Sequence, residues 1–285
     1  MIAANLLFGI NFSAVQYITK GHIGPFGLNV IRVSVTAALF WLIALFSGEP
    51  LGIRRIHISR FLICAITGIV INQSFFIKGV SLTMSTHASL LILVTPVFIS
   101  VAAALVGSEP MTRFKVAGLT SAICGAVLLA LHRSGESGGS SILLGDVLII
   151  INAISYALYF VYVKALIKRY GPMAVIRWIF TFGLLFTLPI GWVQFSAIQW
   201  QQFTPTDFGA TAFIVIGATF LTYLFTTYSI HRLGASVTGA YIYTQPVFAT
   251  LIAILFLHEE FTLYKAISAL LIVGGVLLVE KKERT

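Results

Sequence analysis

Ten long apolar runs follow one another along the chain, at 1–19, 25–47, 59–80, 84–106, 113–131, 142–163, 172–193, 207–228, 234–257 and 262–280. A helix that crosses the hydrocarbon core of a bilayer needs about 20 mostly apolar residues, so each run has the length of a membrane span. The runs are continuously apolar rather than alternating, which selects helices over barrel strands. Only 9% of the residues are charged, against roughly 25% in a soluble domain. So few charges cannot cover a water-facing surface. The expected fold is therefore an all-α membrane protein of ten transmembrane helices. The net charge of +9 does not point to nucleic acid, because the charges fall mostly in short loops, where orientation signals belong. Cys64 and Cys124 lie inside apolar runs and offer no disulfide framework or CxxC metal spacing. The first run begins at Met1 without a basic leader, which argues against a cleavable signal and leaves room for a start further upstream.

One Gly/Ser-rich segment, Ser134 to Ser141, divides the runs five and five. The expected organisation is a first repeat at 1–131, a linker at 132–141 and a second repeat at 142–285. With the N-terminus in the cytoplasm, eleven basic residues fall in inside loops: Arg54, Arg55, Arg60, Arg113, Lys115, Lys168, Arg169, Arg232, Lys281, Lys282 and Arg284. Lys20, Lys78, Arg133 and Lys265 fall outside. Eleven against four places both termini in the cytoplasm of a multi-pass cell (inner or plasma) membrane protein.

The two halves resemble each other. Residues 95–115 and 245–265 align without gaps at eight identities in 21 positions, among them Pro96/Pro246, Glu109/Glu259 and Lys115/Lys265. Apolar bias cannot supply Pro, Glu and Lys. Asn5 echoes Asn152, and Pro25 echoes Pro172. An odd number of spans per half enters the second repeat upside down, the arrangement that secondary transporters use to present one site to either side in turn.

In the order and spacing of several pieces the chain resembles the EamA-type branch of the drug/metabolite transporter superfamily. The pieces are Phe8-Gly9-Ile10-Asn11-Phe12, Arg32, Ala88-Ser89-Leu90-Leu91 before Pro96, Glu109 and the Gly118/Gly125 pair. In the second half they are Ala235-Ser236, Pro246, Glu259 and Gly275. Phe8 replaces the Trp usual before the glycine of span 1, and Gln16 stands where a basic residue is common, while the second half keeps Lys164. The resemblance implies two inverted five-helix EamA repeats. It also implies a central cavity lined by spans 1–4 and 6–9, and export of amino acids or related metabolites; relatives move sugars or nucleotide-sugars.

Pro96 and Pro246 each remove a hydrogen bond from the middle of a span, freeing the carbonyls of Ile92 and Ile242. Matched breaks in both halves point to a transporter's solute site. Arg32 lies about seven residues inside span 2, roughly 10 Å deep. It can bind a substrate carboxylate, bind a backbone carbonyl, or snorkel. Lys164 and Arg177 are expected to snorkel from cytoplasmic ends. The other candidates for a small amphipathic solute are Asn11, Asn72, Gln73, Ser89, Thr95, Tyr156, Tyr159, Tyr223, Tyr241, Thr244 and Gln245. Gly118/Ala122 and Ser121/Gly125 in span 5 suit close helix approach, with internal packing favoured over a homodimer contact.

No HExxH, Walker loop or GxGxxG is present, and the GxSxG match at Gly135–Gly139 lies in the linker. The expectation is a carrier of a small-molecule solute in a lipid bilayer, with no catalytic residues, cofactor or metal, rather than a membrane enzyme or scaffold. All nine acidic residues are expected in loops or near span ends, within reach of water or head groups. That disfavours coupling through an embedded carboxylate and leaves His87, near the outer end of span 4, as the titratable exception.

Overall fold

The computed structural model describes residues 1–47, 52–106, 113–131, 141–233, 238, 241–258 and 262–280. Every regular element among them is helical: α1 (Ile2–Thr19), α2 (Pro25–Ser47), α3 (Arg55–Leu82), α4 (Ser85–Leu105), α5 (Arg113–Leu131), α6 (Ile142–Tyr170), α7 (Pro172–Ser196), α8 (Pro205–Arg232), α9 (Gln245–Leu257) and α10 (Leu263–Glu280). Seven of these, α1–α4 and α6–α8, are long and apolar enough to cross a membrane. The other three contain shorter apolar stretches, Val116–Gly125, Val247–Phe256 and Leu263–Gly275. Glu49, Glu109, Arg133, the 132–140 part of the linker, Ala235, Ser236, Glu259, Glu260, Lys281, Lys282, Glu283 and Arg284 lie outside the described residues.

The polarity of the bundle is inverted relative to a water-soluble protein. Leu45, Phe46, Val193, Leu255, Leu263 and Leu270 are exposed, whereas Asn11, Asn29, Arg32, Asp146, Asn152 and Arg177 are buried. Apolar surface facing out and ionisable groups facing in is the distribution a lipid solvent selects.

Local chemistry sets the helix limits. α6 runs to Tyr170, beyond the expected end at 163, and carries the exposed Lys164, Lys168 and Arg169 past its apolar stretch. It stops where Gly171 takes φ 79° and ψ 162°, a conformation essentially confined to glycine. Pro172 then starts α7 at a position where its missing N–H costs nothing. α8 opens on a capping box between Thr204 and Asp207.

Four helical irregularities fall in similar places in the two halves. α3 widens to π-helix over Ile66–Ile71, and α8 does so over Phe213–Leu221. α4 tightens to 3₁₀ over Ile92–Val94, just before Pro96, and Tyr241–Thr244 is 3₁₀ just before Pro246. Backbone groups loosened by a π-segment must find partners inside the bundle. The Ser155 hydroxyl donates to the Thr67 carbonyl at 2.6 Å, and the Tyr223 hydroxyl to that of Gly68 at 2.9 Å. In α8, the Thr219 hydroxyl donates to the Ile214 carbonyl at 2.7 Å.

Small residues let the helices touch backbone to backbone. α2 lies on α7, where a Cβ on Gly191 would meet the Phe26 carbonyl. The Gln194 side chain of α7 also accepts from the Phe26 and Gly27 amides at 2.8 and 3.2 Å, capping the start of α2. α5 packs on α10 through Gly118, Ala122, Gly125 and Gly275. The Ser121 hydroxyl donates to the Leu271 carbonyl there at 2.8 Å.

Contacts at helix ends give the relative directions. The end of α1 meets the start of α8 through the Tyr17 hydroxyl, 3.0 Å from Asp207 Oδ1. It meets the end of α3 through Gln16 Nε2, which donates to the Thr83 carbonyl at 3.1 Å. Thr83 in turn donates to Asp146 near the start of α6. α1 therefore ends where α6 begins, and the two run in opposite directions.

Candidate functional site

A cavity opens between α1, α2, α3, α4, α6, α8 and α9. Its apolar wall is Phe8, Phe12, Phe76, Ile92 and Ile242; its polar lining is Arg32, Asn72, Gln73, Thr95, Asn152, Tyr156, Tyr223 and Gln245. Among the described residues, neither α5 nor α10 contributes to the lining. Ile92 and Ile242, four residues before the two prolines, both reach the cavity, so the helix breaks lie at its wall. The Ile92 carbonyl is not left free but accepts from the Thr95 amide in the 3₁₀ turn.

Arg32 is the charged group of this lining. It is 1% exposed, too enclosed for snorkelling. Its Nε donates to the Thr219 hydroxyl at 2.8 Å, at the π-segment of α8. Its Nη1 makes no hydrogen bond, and no described carboxylate pairs with it. Both ends of the Gln73 amide and the Thr95 hydroxyl are likewise buried without partners among the described residues. A buried donor left unmade costs about 1–3 kcal/mol, more when charged. Water or a solute in the cavity can complete these bonds.

Other polar groups are committed to one another. Asn152 Nδ2 donates to the Asn72 carbonyl at 2.7 Å, and Asn72 Nδ2 to the Asn152 carbonyl at 3.5 Å, clasping α3 to α6. Gln245 Nε2 donates to Asn5 Oδ1 at 2.8 Å, joining α9 to α1. Asn5 and Asn152, matched in the sequence, thus each hold a seam, but with helices that do not correspond, α9 for Asn5 and α3 for Asn152.

Of the sequence candidates, Arg32, Asn72, Gln73, Thr95, Tyr156, Tyr223 and Gln245 converge on the cavity. Asn11, Ser89, Pro96, Tyr159 and Tyr241 do not line it. Asn11 is buried without a hydrogen bond, and the Ser89 hydroxyl donates to the Thr86 carbonyl at 2.9 Å. Pro96 follows the 3₁₀ turn Ile92–Val94 in the first turn of the resumed α-helix. Tyr159 stacks behind Tyr156 with ring centroids 5.7 Å apart and fills the space over Gly68. The side chains of Thr244 and Pro246 lie outside those described. Asn152, Phe8, Phe12 and Phe76 were missed as lining; the echo between Asn5 and Asn152 was the signal for the first.

Three expectations about charge are corrected. Arg177 does not snorkel: it is 0% exposed, and its guanidinium lies 4.9 Å from the centroid of the Trp41 ring. Lys265 does not lie in an outer loop but is fully buried in α10, with its ammonium 3.9 Å from the Met84 sulfur. Asp146 and Asp207 are not solvated at span ends but fully enclosed by protein. In each case neighbouring helices cover a group whose own sequence places it near an edge. Among the described residues, no group of three or more His, Cys, Asp or Glu could hold a metal ion.

Residues 1–131 and 143–280 match the EamA-like transporter family. An uncharacterized transporter of Archaeoglobus fulgidus is 26% identical over 92% of this chain and 90% of its own length. A probable terminal-alkyne amino-acid exporter of Streptantibioticus cattleyicolor is 25% identical over 95% and 89%. A solved protein structure superposes with a TM-score of 0.65 at 19% identity, covering 98% of this chain and 94% of the other.

Proposed function

The chain belongs to the EamA-like transporter family of the drug/metabolite transporter superfamily, and from that premise we propose that it exports an amino acid or a related small carboxylate metabolite by alternating access. The observation that carries this reading is the buried guanidinium of Arg32, with an unpaired Nη1, in a cavity walled by aromatic and aliphatic side chains. A carboxylate completes its hydrogen bonding, and the apolar wall suits the rest of an amphipathic solute. A neutral sugar would leave the cation unmatched. The relative named as an amino-acid exporter agrees with this choice. Uptake of pooled labelled amino acids, organic acids and sugars into proteoliposomes tests it. Saturable uptake confined to carboxylate-bearing pools is expected, and uptake of sugars alone would overturn the reading.

The proposed architecture is ten spans in two inverted repeats, 1–131 and 142–285, joined by the 132–141 linker. Its support is the alignment of residues 95–115 with 245–265, the paired π and 3₁₀ irregularities, and the opposed directions of α1 and α6. The charge count favours cytoplasmic termini, and the proposed location is the cell (inner or plasma) membrane. In a cysteine-free background, an impermeant maleimide added outside cells should modify Gly21→Cys in the α1–α2 turn. It should spare Gly52→Cys before α3 and Arg169→Cys at the end of α6. Modification of both Gly21→Cys and Arg169→Cys would remove the inversion, because an even number of crossings would then separate them.

A further inference from the structure

We propose that His87 and Asp146 form a reversible proton-binding site that governs the seam between α1, α3, α4 and α6. His87 Nδ1 lies 3.2 Å from Asp146 Oδ2, and the two side chains are 1% and 0% exposed. The Thr83 hydroxyl donates to the other carboxylate oxygen at 2.5 Å. Gln16 donates to the Thr83 carbonyl at 3.1 Å and accepts from the Ser85 hydroxyl at 2.7 Å. One network thus joins all four helices at the end of the bundle that carries the α1–α2 turn.

Apolar residues would close this seam without desolvating a carboxylate. An ionisable pair in its place is a functional feature by default. Among the described residues, two further titratable groups lie on α10 beside this seam. The Tyr264 ring sits edge-on to His87 with centroids 6.3 Å apart, and the buried Lys265 follows it. Gln16, Thr83, Ser85 and Thr86, described beside the pair, are neutral.

The pair is connected to the solute cavity along two rigid rods. His87 precedes Ile92 by five residues on α4, and Asp146 precedes Asn152 by six on α6, roughly 8–9 Å of helix in each case. Both Ile92 and Asn152 line the cavity. Protonated, His87 makes a charge-assisted hydrogen bond to the carboxylate, and the closed seam gains. Deprotonated, the link weakens and the open state, in which water reaches Asp146, gains. Protons thus bind the closed form more tightly and shift the population toward it. Calling the proton a coupling ion rests on the transport reading; the site itself does not.

The test needs no solute. Ala88→Cys, adjacent to His87 and fully buried, is placed in a Cys64→Ala, Cys124→Ser background and reacted with an impermeant maleimide in membrane vesicles. Each rate is divided by that of the same thiol in denaturing detergent at the same pH, which removes thiolate chemistry. The normalised rate should be at least about threefold higher at about pH 8.5 than at about pH 6, either side of the histidine range. This ratio should fall to about one in His87→Gln and in Asp146→Asn. Ser85→Ala, which removes a neutral hydrogen bond of the seam and leaves the pair, should keep it. If Asp146→Asn does not accumulate, His87→Gln alone decides. A flat profile in the parent, or a ratio kept in His87→Gln, overturns the proposal whatever the uptake screen returns.

Discussion

Arg32→Gln should lower transport of the carboxylate solute found by the uptake screen by at least about thirtyfold, at unchanged protein level in the membrane. Truncating one partner of a buried, hydrogen-bonded charge pair costs about 2–5 kcal/mol, and each 1.4 kcal/mol is about tenfold. Arg32 meets the conditions for the upper part of that range: it is enclosed, and Thr219 anchors only its Nε. Thr219→Val should cost less, because it frees Nε without removing the charge. Initial rates in proteoliposomes, compared with those of an analogue lacking the carboxylate, separate recognition from folding. The analogue's transport should change little. Equal loss for both solutes would make Arg32 a structural cation, and no loss for either would remove it from the site.

The second large effect is expected at the α2–α7 contact. Gly191→Leu should lower the apparent melting temperature in lipid nanodiscs by at least about 5 °C, since overpacking a close contact costs about 1–3 kcal/mol or more. Lipid tails are as apolar as the helices, so association rests on close packing and hydrogen bonds rather than on the hydrophobic effect. A Cβ at Gly191 meets the Phe26 carbonyl and the Val30 side chain, and the backbone cannot rotate aside. The Gln194 cap on the Phe26 and Gly27 amides would be strained with it. Gly209→Leu, where an added Cβ meets nothing within 4 Å, is the matched control and should melt near the parent. Equal melting of the two variants would show that α2 and α7 are not held in this contact.

Much of the local structure was legible because it depends on residues close in sequence. Apolar runs of about twenty residues specify helices in lipid whatever surrounds them. Pro96 and Pro246 announce their own breaks, and Ile92 and Ile242, four residues before them, fall at the cavity wall. Arg32, Asn72, Gln73 and Gln245 stood out because a polar side chain in an apolar run needs a reason. The interruptions in α3 and α8 were not foreseen, since no proline marks either π-segment and their loosened carbonyls are satisfied by Ser155, Tyr223 and Thr219.

The amino-acid sequence by itself determined the solvent, the helical class and the likeness of the two halves. The tertiary structure decided which polar groups meet. A span that is apolar on all sides carries little amphipathic signal to separate its lipid face from its protein face. Distance to the end of a run is then the remaining guide to solvation, and it misplaced Arg177, Lys265 and Asp146. Each lies near an end of its own run, yet helices distant in sequence cover it. Asp146 is enclosed because Gly145 lets α6 approach the Gly79 carbonyl and the Thr83 backbone, which brings the carboxylate to Thr83 and His87. Burial is a property of the neighbours, and the neighbours of a membrane helix are set by packing that its own residues do not encode.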